Sequence, residues 1–135
     1  MIQRIQSIWL LLAGLTILLL LVLPPVTLPA DAPEVPRPST LLLIANLFIA
    51  LLSLLNIFNF KNRSLQKNLI LLNIVLTLAL CAWIFVTFRD FPGGLEDVKP
   101  SIGAFMPLLS IIFSALAYRG IRRDEQLLRS ADRLR

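Results

Sequence analysis

Histidine is absent from this chain and cysteine occurs once, at Cys81. Zinc chemistry needs His or clustered Cys ligands, so a zinc hydrolase is not expected. A quinone-linked thiol oxidoreductase is excluded on similar grounds, because it needs paired cysteines that exchange a disulfide. Charge is also scarce: 16% of residues are Asp, Glu, Lys or Arg, against about 25% in an ordinary soluble domain. No Asp, Glu, Lys or Arg falls within four long apolar runs, Ile5 to Leu23, Leu41 to Phe60, Leu69 to Phe88 and Ile102 to Tyr118. Proton-coupled transport through a carboxylate or His relay therefore lacks its working part, as does a small multidrug-type antiporter of this length. Pro92-Gly93-Gly94 is turn chemistry and not a phosphate-cradling loop. These absences lead us to expect a chain that is not an enzyme, with no catalytic residue, no bound metal and no cofactor.

Apolar length is what the chain has in abundance. Mean hydropathy is +0.81 and 57% of residues are hydrophobic. Each of the four runs is close to the ~20 residues that a helix needs to cross a ~30 Å hydrocarbon core. The expected fold is all-α: an integral membrane antiparallel four-helix bundle with up-down-up-down connections. Spans and short connectors consume almost all of residues 1–118, leaving one transmembrane domain and a basic tail at 119–135.

Lys and Arg near span ends set orientation, because basic loops resist translocation. Arg4, Lys61, Arg63, Lys67, Arg119, Arg122, Arg123, Arg129, Arg133 and Arg135 fall on one side, and only Arg37, Arg89 and Lys99 on the other. Ten against three places both termini in the cytoplasm. Asp31, Glu34, Asp90, Glu96 and Asp97 lie opposite. Trp9 and Tyr118 toward the inner interface, and Trp83, Phe88 and Phe91 toward the outer one, agree with that orientation. The net charge of +5 and pI near 10.4 then describe a basic cytoplasmic rim facing anionic lipid head groups. Since the orientation effect accounts for the charge, nucleic acid is not an expected partner.

The first run also imitates a secretory signal, with Arg4 before it and Ala30-Asp31-Ala32 after it. Its apolar stretch exceeds the usual ~7–15 residues. Pro33 would also follow the scissile bond, so the run reads as a retained anchor.

The connectors differ in character. Six of the nine prolines lie between Pro24 and Pro38, which predicts an extended outer loop with polyproline II stretches. Ser39 and Thr40 offer an N-cap to the second span. Lys61 to Asn68 reads as a short polar turn between spans two and three, and Phe91-Pro92-Gly93-Gly94 as a turn before the fourth.

Small and polar residues at helical spacing mark where spans meet. Asn46, Ala50, Ser53 and Asn56 share a face on the second span, as do Asn73, Thr77 and Cys81 on the third. Gly103, Pro107, Ser110, Ser114 and Ala117 do so on the fourth, and Gly14 is a small contact point on the first. Inter-helix hydrogen bonding is the expected use of the polar members, and lining a solute path is the alternative. Pro107 predicts a kink in the fourth span.

From Arg119 to Arg135 the chain reads as a helix continuing out of the fourth span. Leu127, Ala131 and Leu134 lie on one face, with Leu128 beside them. Arg119, Arg122, Arg123, Arg129 and Arg133 supply charge, and Glu125 is placed to pair with Arg129 at i, i+4. Three readings stay open: a helix lying on the leaflet, an anchor that only enforces orientation, and a surface that docks a partner.

Both ends of the chain resemble one family. Met1-Ile2-Gln3-Arg4-Ile5-Gln6-Ser7-Ile8 leads into Leu11-Leu12-Ala13, and Ala117-Tyr118-Arg119-Gly120-Ile121-Arg122-Arg123-Asp124-Glu125 precedes Arg129-Ser130-Ala131-Asp132-Arg133-Leu134-Arg135. With these motifs the chain resembles an uncharacterised four-span family of Bacteroidota inner membranes, domain of unknown function 4293. The resemblance implies a multi-pass protein of the bacterial inner membrane and carries no activity, ligand or functional residue with it. The leading expectation is a small accessory or assembly subunit of a membrane complex, docking a membrane-protein partner or a second copy through its tail. The alternative is a small-solute transporter or channel that uses the Asn seams.

Overall fold

The computed structural model describes residues 2–23, 26–27, 40–90 and 99–134. Most of the Pro-rich loop and the Phe91-Pro92-Gly93-Gly94 turn lie outside the described residues, as do Ser39 and Arg135. Four helices account for nearly all of the rest: α1 (Ile2–Val22), α2 (Thr40–Phe58), α3 (Arg63–Arg89) and α4 (Met106–Arg133). All four are long and apolar enough to cross a membrane, consistent with a multi-pass membrane protein.

α1 packs against both α2 and α4, and α3 also packs against both. Contacts run in opposite chain directions between neighbours. Asn46 reaches Ile17 while Ala50 lies beside Gly14. Ser110 reaches Ala13 while Gly120 lies beside Gln6. At one end of the bundle β1 (Val26–Thr27) pairs antiparallel with β2 (Lys99–Pro100), Val26 opposite Pro100 and Thr27 opposite Lys99. That pairing ties the α1–α2 connector to the α3–α4 connector.

Two boundaries differ from the sequence reading. The polar stretch Lys61 to Asn68 is not a loop. A 3-10 turn over Asn59–Lys61 follows α2, Asn62 alone leaves helical geometry, and α3 starts at Arg63. Arg, Leu, Gln and Lys are good helix formers, and the Gln66 N–H bonds the Asn62 carbonyl at 2.9 Å to close the first turn. Pro107, in turn, does not kink a helix. A 3-10 turn over Ile102–Phe105 precedes α4, so Pro107 occupies its first turn. There the missing N–H has no helical partner to lose.

The buried stripe of each helix alternates steps of three and four residues. It runs Gln6, Leu10, Ala13, Ile17, Leu20 on α1 and Asn46, Ile49, Ser53, Asn56 on α2. On α3 it is Gln66, Ile70, Asn73, Thr77, Leu80, and on α4 Pro107, Ser110, Ser114, Ala117, Ile121. A 3.5-residue period keeps one seam facing its neighbours along a gently supercoiled bundle. Among the described residues the interior holds as many polar side chains as apolar ones, while Ile44, Leu47, Phe48, Leu51, Val75 and Leu78 face outward. That inverts the distribution of a water-soluble protein and suits a bundle whose solvent is hydrocarbon.

Two apolar clusters complete the interior. Ile17, Leu20, Ile49, Ala50 and Leu80 form one, toward the β1–β2 end. Leu10, Ile70, Ala117 and Ile121 form the other, with Trp9, Ile57 and Tyr118 packed on it. Trp9 also stacks on Phe113, ring centroids 5.7 Å apart, fastening α1 to α4.

Candidate functional site

The seam is built because one helical face carries the small and polar residues while Leu and Ile fill the others. Small residues let backbones approach closely enough for short polar side chains to reach across. At Gly14 an added Cβ would sit 3.1 Å from Leu54 Cδ2 and 3.5 Å from the Ala50 carbonyl oxygen. Beside it, Asn46 Nδ2 donates to the Ile17 carbonyl at 3.1 Å and Ser110 Oγ donates to the Ala13 carbonyl at 3.1 Å. α1 thus presents backbone oxygens to two flanking helices. Thr16 Oγ1 bonds the Ala13 carbonyl as well, at 2.8 Å.

Midway along, Asn73 joins three helices. Its Nδ2 donates to Ser53 Oγ on α2 at 2.8 Å and approaches Ser114 Oγ on α4 at 3.5 Å. Thr77 Oγ1 bonds back to the Asn73 carbonyl at 2.7 Å. Nearer the α2–α3 turn, Asn56 Nδ2 donates to the Gln66 carbonyl at 3.2 Å and Gln66 Nε2 returns a 3.4 Å bond to the Asn56 carbonyl. Asn46, Ser53, Asn56, Asn73, Thr77, Ser110 and Ser114 are all buried, and each takes part in one of these bonds. Cys81 is half-buried and lies off this chain of contacts.

Several polar ends stay without a protein partner. Asn46 Oδ1, Asn56 Oδ1, Asn73 Oδ1 and Gln6 Nε2 are buried, and no donor or acceptor among the described residues reaches them. Gln6 packs on Gly120, where a Cβ would come within 3.2 Å of Gln6 Cγ, so the glycine makes room for the amide.

Sequence reading overlooked Gln6 and Gln66. Gln66 falls in the polar stretch that reads as a loop, and Gln6 stands where the apolar run begins. The three-four spacing Gln6, Leu10, Ala13, Ile17 was the signal available for the first.

The second candidate region is the far end of α4. Asp124 and Glu125 turn back onto α3: Arg63 Nη2 lies 3.4 Å from Asp124 Oδ2, and Lys67 Nζ donates to Glu125 Oε2 at 2.7 Å. Glu125 therefore bridges to α3 and not to Arg129 as its spacing had suggested. Beyond that point α4 continues unbroken to Arg133. Eight further residues, 126–133, at 1.5 Å each carry it about 12 Å along its axis. Leu127 and Leu128 are about half exposed there, at 51% and 50%, and Leu134 is 89% exposed. Arg119, Arg122, Arg123, Arg129 and Arg133 are exposed as well. With both neighbouring acids engaged by α3, the outward charge of this segment is cationic apart from Asp132.

Among the described residues, no group of three His, Cys, Asp or Glu side chains could hold a metal ion. The family model for DUF4293, a domain of unknown function, matches residues 2–134. The chain belongs to the DUF4293 family. No curated protein and no solved structure matches it. Family membership spans both the seam and the projecting helix, and it assigns a reaction to neither.

Proposed function

We propose that this chain is a non-catalytic protein of the bacterial inner membrane, a small accessory or assembly subunit of a membrane complex. In this reading the four helices form an up-down-up-down bundle with both termini in the cytoplasm, as the Lys and Arg distribution argues. Arg119, Arg122 and Arg123 meet anionic head groups at the membrane rim. The last turns of α4 are the docking element.

The observation that carries this reading is the uncovered leucine face of α4 beyond Asp124. A helix continuing without a break out of a span holds its coaxial course, so this segment stands off the bilayer and does not lie flat on it. Leu127, Leu128 and Leu134 need cover from a protein surface, and Arg129 and Arg133 set the charge which that surface must answer. Affinity purification from native membranes in mild detergent tests the proposal. A defined partner should co-purify with the full chain and be lost when residues 126–135 are deleted. The intact chain recovered alone, unaltered by the deletion, would count decisively against it.

The seam supports a second reading, a transporter or channel for a small neutral solute, since buried carboxamides occur on α2 and α3. Liposome flux abolished by Asn46→Leu or Asn73→Leu would promote it, and unchanged flux would remove it.

A further inference from the structure

The amide ends left over in the seam have a chemical meaning that does not depend on the function proposed above. Asn46 and Asn56 each donate through Nδ2 to a backbone carbonyl, of Ile17 and Gln66. A carbonyl cannot donate, so the amide orientation at both positions is settled and Oδ1 must be the unserved end. At Asn73 the partners are hydroxyls, which accept or donate. Whichever way that amide turns, one end remains over. All three side chains are at most 2% exposed.

A buried acceptor left unsatisfied is costly in any low-dielectric interior and more so in hydrocarbon, where no solvent molecule can stand in. One isolated orphan could be tolerated. Here they recur along the seam, from Asn46 beside Ile17, through Asn73 beside Ser53, to Asn56 beside Gln66. Toward the same end as Asn56 lies an orphan of the opposite kind. Gly14 beside Ala50 and Ile17 beside Asn46 give an antiparallel register that brings Gln6 within about a turn of Asn56 along the bundle. Gln6 Nε2 is a donor and Asn56 Oδ1 an acceptor.

We propose that the seam is a binding track for internal water, with molecules held at Asn46, Asn56 and Asn73 and one serving the end shared by Gln6 and Asn56. Water is the ligand class that fits. It donates to each carbonyl, accepts from the Gln6 amide, and needs only two to four polar partners. A bare cation does not fit, because the carbonyls sit at separate levels and hard cations gather about six or more oxygens around one point. Hydration is local and not a continuous pore, since Leu10, Ile70, Ala117 and Ile121 pack as an apolar cluster within the bundle.

The test is a structure of the full chain in lipid nanodiscs at a resolution that shows ordered water. Water oxygens are expected about 2.6–3.2 Å from Asn46 Oδ1 and Asn56 Oδ1, the two acceptors whose amide orientation is settled. Those oxygens accepting instead from a protein donor, or facing apolar atoms alone, would overturn the proposal. NMR on the native chain with 15N-labelled Asn and Gln gives a second readout that needs no variant to fold. Magnetisation transfer from water to the Asn56 and Asn73 side-chain amides should match the order of that to exposed Asn62 and Asn68. Transfer indistinguishable from zero at both buried amides would equally sink it.

Discussion

The seam and the projecting end of α4 share a spacing and differ in burial. Ser110, Ser114, Ala117 and Ile121 follow steps of three and four along α4 and are fully covered. Leu127, Ala131 and Leu134 follow the same steps on the same helix and are exposed. Polar side chains occupy covered positions and leucines uncovered ones. Hydrophobicity therefore does not decide burial in this protein; the presence of a neighbouring helix does. In a membrane a leucine facing lipid loses nothing, so close approach and hydrogen bonding choose which face turns inward. In the proposed reading water becomes the solvent again past the end of the bundle, and the leucines there lack the cover that water demands.

The sharpest way to break this contrast is to place charge in the seam. Asn73→Asp should destabilise the bundle by about 2.5–3.5 kcal/mol, the scale for an acid at mid-span, measured as unfolding in mixed detergent micelles. A variant as stable as wild type would mean that Asn73 does not sit in a buried, three-helix contact. Bulk in the seam comes next. Gly14→Leu should cost about 1–3 kcal/mol, because the first added carbon already meets Leu54 and the rest must displace α2. Removing hydrogen bonding without adding bulk is milder: Ser53→Ala should lower stability by about 0.6–2 kcal/mol by forfeiting its bond with Asn73.

Changes in the projecting helix should barely register on that scale. Leu127→Ser with Leu134→Ser is expected to stay within about 0.5 kcal/mol of wild type while abolishing partner recovery. Lost stability with retained recovery would reverse the assignment of the two regions. Lys67→Ala should also cost less than about 1 kcal/mol, since both members of its pair with Glu125 are partly solvent-exposed.

Much of this arrangement was legible beforehand. Asn46, Ser53 and Asn56 stand out because polar residues are conspicuous in an apolar run, and their spacing assigns them to one face. The face of α1 was less visible. Among the described residues Thr16 and Gln6 are its buried polar members, and Leu10, Ala13 and Ile17 look like their lipid-facing neighbours. At the start of α3 polarity suggests a loop, whereas Gln66 is buried against Asn56 and the helix forms around that contact. The apolar run begins at Ile102 and so places Pro107 in a helix interior, but a 3-10 turn there moves the helix start and makes the proline harmless.

Composition and periodicity alone determined four long apolar helices, their approximate limits, the polar faces of α2 and α4 and the Asn73–Thr77 part of that of α3, because hydropathy and helical spacing are local properties of a chain. Only the tertiary structure decided that Glu125 turns to Lys67 and not to Arg129, that Asn73 joins three helices, and that three carboxamide oxygens find no donor among the described residues. Such outcomes depend on the register between helices distant in sequence, and a one-dimensional pattern contains no information about which of several equivalent partners lies at the same height.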